Sequence, residues 1–158
     1  MTTPARSLAT LLAFALLAAG HAGAQAAQKT TTKCNATGPG GGNLVSLTTS
    51  SGQVPLNDLS IKLNNTTGAD KVATLWFSAD AGIDPQAELR LVWQIDGASG
   101  AYLGPQNLAN HTDFWMTRSA IASYSVPPGV HTIVPAVFIS GAAGMNANVD
   151  DRCIVVTF

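Results

Sequence analysis

The chain has 158 residues, of which 46% are apolar and only 11% are charged. Soluble domains average roughly 25% charged residues, so the polar surface of this protein must consist mainly of uncharged groups. With 8 basic and 9 acidic side chains the formal net charge is -1. That balance leaves no basic surface to displace counterions from a phosphate backbone, and it excludes nucleic acid as the expected partner.

The first 24 residues have the order of a secretory signal peptide. One basic side chain, Arg6, precedes the apolar stretch 8–19, and small residues occupy 22–24. The stretch is shorter than the ~20 residues that a membrane-spanning helix needs, so we predict cleavage. Cleavage after Ala24 or after Ala26 fits the small-residue pattern. The predicted organisation is a signal peptide over 1–24 and a single domain over 25–158, secreted or periplasmic, with no stable membrane span.

The domain has the periodicity of strands, and no twelve-residue window after residue 30 repeats apolar positions at helical spacing. The clearest strand is 88–96, where Leu89, Leu91, Trp93 and Ile95 share one face and the polar residues share the other with Val92. Turn sequences such as Asp96-Gly97 separate the candidates. In chain order these are 29–34, 44–49, 60–64, 72–78, 88–96, 114–118, 120–125, 130–140 and 153–158.

Both cysteines, Cys34 and Cys153, lie in the predicted domain, near its two ends. Exported chains enter oxidising compartments, so we predict a disulfide between them; unpaired thiols or an intermolecular bridge are the alternatives. Two cysteines with no neighbouring histidine fall short of a zinc site.

So many short strands must bury their apolar faces against one another, which predicts an all-β fold with two antiparallel sheets packed as a sandwich. A jelly roll and an immunoglobulin-like sandwich both fit. Immunoglobulin domains carry their cysteines on central strands around a core tryptophan. In a jelly roll the first and last strands can be neighbours in one sheet, which would bring Cys34 to Cys153. We therefore predict the jelly-roll type, with the immunoglobulin-like sandwich as the alternative.

Several C-terminal segments carry a resemblance to a known family. They are Pro-Gly-Val-His-Thr-Ile at 128–133, the long strand that ends at Ser140-Gly141, and Asp-Arg-Cys-Ile-Val-Val at 151–156, with Gln-Ile-Asp-Gly at 94–97 before them. Together they resemble the closing strands and a mid-domain hairpin of small secreted bacterial proteins with a C1q/TNF-like jelly roll. The resemblance implies a binding or assembly module, with a trimer as one form that such modules take, and not an enzyme. It transfers no functional residue.

A catalytic site is not predicted. Ser119, His131 and Asp113 could form a hydrolytic triad, but no Gly-x-Ser-x-Gly elbow is present, and His131 follows a turn, where histidine usually binds a loop carbonyl. The carboxylate pairs Asp80/Asp84 and Asp150/Asp151 lie in turn-like sequence and are typical of solvated caps. We predict no catalytic residues.

Oxygen-bearing side chains concentrate at Asn146, Asn148, Asp150 and Asp151, which makes calcium a secondary candidate, although the order lacks the EF-hand pattern. No other cofactor and no other metal site is predicted.

The segment 110–115 combines polar and aromatic side chains. Sugar rings stack on aromatic faces while polar side chains bind their hydroxyls, so His111, Asp113 and Trp115 are the candidate ligand-binding residues. Large aromatic residues are usually buried, which favours core positions for Phe114 and Trp115. Since neighbouring strand residues point to opposite faces, one of the two must nevertheless face outward. Trp76 and Phe77 pose the same question, whereas Trp93 belongs to the core.

These patterns predict a non-catalytic module that binds a glycan or a protein surface outside the cell. The alternative is a structural subunit of an extracellular homo-oligomer, held by an apolar patch over Phe77, Phe138 or Phe158. A more distant alternative is a small outer-membrane β-barrel, because the final alternating residues, 155–158, end in an aromatic side chain.

Overall fold

The computed structural model describes residues 28–35, 44–97, 102–110 and 115–158. The predicted signal peptide, 1–24, lies outside this part of the chain. The described residues form ten strands and a single 3-10 turn at Asn57–Leu59. The strands are β1 Thr30–Asn35, β2 Val45–Thr48, β3 Val54–Pro55, β4 Ile61–Asn65, β5 Lys71–Ile83, β6 Glu88–Ile95, β7 Tyr102–Asn110, β8 Met116–Val126, β9 Gly129–Ser140 and β10 Asn146–Thr157.

The strands form two antiparallel sheets. In sheet A the order is β1-β10-β5-β8, and β2 also pairs with β10 beyond the end of β1. In sheet B the order is β3-β9-β6-β7, and β4 also pairs with β9. Counting β1 with β2, and β3 with β4, as one position each gives two four-stranded sheets in which the first and last strands are neighbours. This is the predicted jelly-roll sandwich, and the immunoglobulin-like alternative is excluded.

The predicted disulfide is confirmed. Cys34 on β1 lies directly opposite Cys153 on β10, and the Cα atoms of the bonded pair are 4.0 Å apart. The bond joins two strands of the same sheet and links residues 119 apart in sequence. The two ends of the domain are therefore held side by side in sheet A.

The core lies between the sheets. On β5, the alternate residues from Ala73 to Ile83 are buried, and the largest side chain among them is that of Phe77. From sheet B, Trp93 on β6 meets Phe77 edge to face, with ring centroids 6.5 Å apart. Both rings are fully buried. The predicted core position of Trp93 is confirmed, and Phe77 belongs to the core and not to an exposed apolar patch.

Several strands differ from the sequence-based prediction. Strands β5 and β10 are longer than expected, and the two strands predicted at 114–118 and 120–125 are one continuous strand, β8. Strand β7 was not predicted, because Gly104 and Pro105 interrupt its alternation. Among the described strands β7 pairs with β6 alone, so it is an edge strand, and its register with β6 shifts where Gly104 and Pro105 lie. Proline has no N–H to donate and is tolerated at such a place.

One burial prediction was wrong. The period of two over 88–96 is typical of a half-buried strand, with Val92 and Gln94 on the face away from the core, but they are only 3% and 6% exposed. The centre of β6 is therefore buried on both faces, and on the second face Gln94 Nε2 donates to Gln53 Oε1 at 3.4 Å. No helix among the described residues has the length and apolar character needed to cross a membrane.

Candidate functional site

Of the three predicted ligand-binding residues, the structure describes one. Trp115 precedes β8 and is 53% exposed, so its indole faces solvent and not the core. His111 and Asp113 lie outside the described residues, as does Phe114. The surroundings of Trp115 are therefore the part of the predicted site that the structure describes.

Trp115 lies on the face of sheet A that points away from sheet B. On β5 every second residue points away from the core, among them Trp76, Asp80 and Gly82, and Gly82 is buried beneath the Trp115 ring. In the adjoining strands, Asn148 of β10 is opposite Gly82, and Ala81 is opposite Met116 of β8. The antiparallel register consequently brings Trp115 beside Gly82, and Gly82 beside Asn148.

Gly82 makes room for the indole. A Cβ atom at this position would lie 3.3 Å from both Cε2 and Nε1 of Trp115, which is closer than an ordinary van der Waals contact. The indole of Trp115 therefore lies against the backbone of Gly82, which has no side chain to keep it away. Such packing fixes the ring while leaving about half of it exposed.

A shallow cavity of about 130 Å³ adjoins the ring. Its lining residues are Gly82, Ile83, Asp84, Trp115, Asn146 and Asn148. They come from the end of β5, the approach to β8 and the start of β10, so three separate segments build one surface site.

The polar groups of the cavity are held by hydrogen bonds. The backbone N–H of Asn146 and its side-chain Nδ2 both donate to Asp84 Oδ2, at 2.8 and 3.1 Å. Ser46 Oγ donates to Asn148 Oδ1 at 2.8 Å. Within the described chain, Asp84 Oδ1 and Asn148 Nδ2 have no hydrogen-bond partner, which leaves one acceptor and one donor for a ligand.

The conceivable hydrolytic triad can be checked at two of its residues, Ser119 and His131. Ser119 lies on β8 in sheet A, while His131 lies on β9 in sheet B, so the conceivable triad is not assembled. His131 instead bonds Asp96 through Nδ1, and its Nε2 lies 3.2 Å from the Pro127 carbonyl oxygen. This is the loop-carbonyl contact expected for a histidine after a turn.

The four side chains considered as calcium ligands do not all lie in one place. Asn146 and Asn148 line the Trp115 cavity, whereas Asp150 lies opposite Asp80 on the neighbouring strand. Asp151 begins the irregular stretch of β10 with a φ of 37°. Within the described residues, no group of three or more His, Cys, Asp or Glu side chains is arranged to hold a metal ion.

Sequence reasoning missed Gly82 and assigned other roles to Asp84, Asn146 and Asn148. The alternation that starts at Val72 continues to Asp84, so it could have placed Trp76, Gly82 and Asp84 on one outward face. The pairing of that face with Trp115 and the asparagines depends on register, which periodicity does not specify.

The Asp96–His131 pair makes the free energy of unfolding depend on pH in the acid range. His131 Nδ1 and the backbone N–H of Thr132 each donate to the Asp96 carboxylate at 2.8 Å, and these bonds hold the pKa of Asp96 below its usual value. A lowered pKa stabilises the fold above the unfolded-state pKa of about 4, and this stabilisation is lost as pH falls through the lower folded-state value.

We therefore expect Asp96→Asn to flatten the dependence of unfolding free energy on pH below about pH 4. Asp70→Asn is the matched control, because Asp70 accepts one hydrogen bond from Ser125 Oγ on the protein surface. Urea titrations at a series of pH values measure both. Wild type and Asp96→Asn curves that run parallel through the acid range would contradict the assignment.

Comparisons with protein-family models and with curated proteins find no match. Solved structures do match. The VP2 subviral particle protein of infectious bursal disease virus aligns with a TM-score of 0.56 and 14% identity, over 84% of this chain and 33% of that one. T=1 particles derived from the same virus give a TM-score of 0.55 and 13% identity over 84% and 32%. The chain thus spans about a third of the VP2 chains it matches, and the likeness establishes a shared fold.

A sugar-binding protein, the EclA C-terminal domain, is also matched at 17% identity over 74% of this chain and 86% of that one. Its TM-score of 0.35 is too low to support an argument.

Proposed function

We propose that the chain is an exported, non-catalytic module that binds neutral carbohydrate at the Trp115 cavity. The observation that carries this proposal is the half-exposed indole of Trp115, held against Gly82 beside Asp84, Asn146 and Asn148. A flat aromatic face offers the apolar side of a sugar ring a stacking surface, and neighbouring carboxylate and amide groups bind its hydroxyls.

Two further features support export. Residues 1–24 have the composition of a secretory leader, and the Cys34–Cys153 disulfide suits an oxidising compartment. The resemblance to C1q/TNF-like secreted proteins agrees with a binding role. His111 and Asp113 lie four and two residues before Trp115 in the sequence and are proposed to contribute hydrogen bonds to the ligand.

Isothermal titration with neutral oligosaccharides of glucose, mannose, galactose, xylose and N-acetylglucosamine tests the proposal. We expect at least one to bind, and Trp115→Ala to weaken that binding about tenfold or more through loss of the stacking surface. Val130→Ala is the matched control, because Val130 is also exposed, at 63%, but lies on β9 in sheet B. Absence of binding to every sugar, or equal affinity of wild type and Trp115→Ala, would refute the proposal.

Assembly of several copies is the second candidate. It is favoured by the exposed apolar side chains Trp76 and Ile121, which lie opposite each other on sheet A. It predicts an oligomer in sedimentation experiments that Trp76→Ala dissociates, and a wild type that sediments as a monomer would contradict it.

A further inference from the structure

The outward face of sheet A carries a second exposed tryptophan in line with the first. Trp76 on β5 is 49% exposed and lies opposite Ile121 of β8, itself 58% exposed. Trp115 precedes Ile121 by six residues on the same segment, and an even offset keeps both on one face of the sheet. At a rise of about 3.4 Å per residue, the two indoles are about 20 Å apart along the strands.

Polar residues occupy the positions between the two indoles. Next to Trp115 and Gly82 comes the pair Thr117 and Asp80, in which Thr117 Oγ1 donates to Asp80 Oδ1 at 2.6 Å. Ser119 and Ser78 form the next pair, directly before Ile121 and Trp76. This track, defined by these residues from Trp115 to Trp76, thus presents hydroxyl and carboxylate groups between two aromatic ends.

The charges of the track exclude anionic polymers. Asp80 lies on the track, Asp150 of β10 lies directly opposite it, and Asp84 lies beyond Gly82. The basic residues nearby are placed elsewhere. Lys29 and Lys62 line a separate cavity with Phe158, Lys71 Nζ lies 5.3 Å from the Phe158 ring centre, and Lys33 Nζ donates to the Ser60 carbonyl oxygen. Arg118 of β8 lies opposite the buried Ala79, at the positions of β8 that alternate with the track. An acidic, hydroxyl-rich strip repels uronates, sulfates and phosphates and accepts hydrogen bonds from neutral hydroxyls.

We infer that the outward face of sheet A, from Trp115 to Trp76, is a linear binding track for several consecutive sugar rings of a neutral polysaccharide. The inference rests on the proposed function and extends it from one cavity to an elongated ligand. A ring stacked on Trp115 anchors the chain, and a second ring several units away stacks on Trp76. Because the two contacts belong to one ligand, the second is made at high effective concentration and raises affinity for long chains only.

Affinity electrophoresis of the full purified chain tests this track. The gels contain soluble neutral polymers, namely glucomannan, galactomannan, xylan and hydroxyethylcellulose, or the anionic polymers alginate and pectate. We expect retardation by at least one neutral polymer and by neither anionic one. Trp76→Ala should lower affinity for that polymer about tenfold while leaving affinity for its disaccharide unchanged. Trp115→Ala should weaken both, and Val130→Ala should weaken neither.

The outcomes separate the two proposals. Disaccharide binding that needs Trp115, combined with equal polymer affinity of wild type and Trp76→Ala, overturns the track and leaves the cavity proposal standing. Failure to bind any neutral sugar overturns both. Retardation by alginate or pectate overturns the charge argument, and conversion of an oligomer to a monomer by Trp76→Ala, without an effect on polymer binding, assigns the face to a second copy of the chain.

Discussion

Replacing both cysteines by serine is expected to lower the free energy of unfolding by about 4 to 5 kcal/mol, which is a large share of the 5–15 kcal/mol typical of a domain. The disulfide closes a loop between residues 119 apart, so its removal mainly increases the conformational freedom of the unfolded chain. The native pairing of β1 with β10 continues on both sides of Cys34, from Thr30 to Asn35, and needs no bond to set its register.

Urea denaturation of Cys34→Ser/Cys153→Ser, with and without reductant, measures this effect. Reductant should lower the stability of the wild type to that of the double variant and should leave the variant unchanged. Cys34 is solvent-exposed, so the bond is accessible to a small thiol. A wild type that loses less than about 1 kcal/mol on full reduction would contradict the chain-entropy account.

Trp93→Ala is expected to cost about 3 to 5 kcal/mol, because a fully buried indole is replaced by a methyl group and a cavity. Trp93 comes from sheet B and meets Phe77 of sheet A edge to face, so the substitution removes packing between the two sheets. The variant should unfold at lower denaturant concentration and bind the hydrophobic dye ANS if its packing loosens.

Trp76→Ala is the matched control for Trp93→Ala. It removes the same side chain from the outward face of sheet A, where the ring is about half exposed, and should change stability by no more than about 0.5 kcal/mol. Guanidinium titrations of the two variants give the comparison. Equal losses for the two tryptophans would mean that the assignment of inner and outer faces is wrong.

Local alternation was enough to predict much of the fold. The period of two over 88–96 correctly placed Leu89, Leu91, Trp93 and Ile95 in the core, and the position of the cysteines at the domain ends pointed to neighbouring first and last strands. Alternation failed to predict a strand that is stabilised by pairing with its neighbour and not by its own sequence pattern. Strand β7 contains Gly104 and Pro105, and its backbone is ordered by pairing with β6.

The candidate site was less predictable, because its residues come from three parts of the chain. Alternation shows that either Phe114 or Trp115 faces outward, but it does not reveal that the ring lies against Gly82. Asp84 and Asn146 meet because β5 and β10 are antiparallel neighbours in a register that brings their ends together. Pairing between distant strands is a property of the whole sandwich, so the residues of one segment do not specify it.

The low proportion of charged residues is reflected in the outward face of sheet A, which carries neutral hydroxyl side chains. Ser, Thr and Asn together number 36 residues against 17 charged ones. On the track, Thr117, Ser119 and Ser78 occupy consecutive outward positions of two paired strands. A surface built in this way offers many hydrogen bonds at fixed spacing, and desolvating it costs less than desolvating a surface of ion pairs.

Acrylamide quenching of tryptophan fluorescence, with and without a bound neutral polysaccharide, shows whether the ligand covers Trp76 and Trp115. Trp93 is fully buried, so the quenchable emission comes from Trp76 and Trp115, whose rings are about half exposed. We predict that saturating polymer protects both tryptophans, that its disaccharide protects Trp115 alone, and that Trp76→Ala removes the difference between the two ligands. Unchanged quenching in the presence of a polymer that demonstrably binds would show that the ligand lies elsewhere on the molecule.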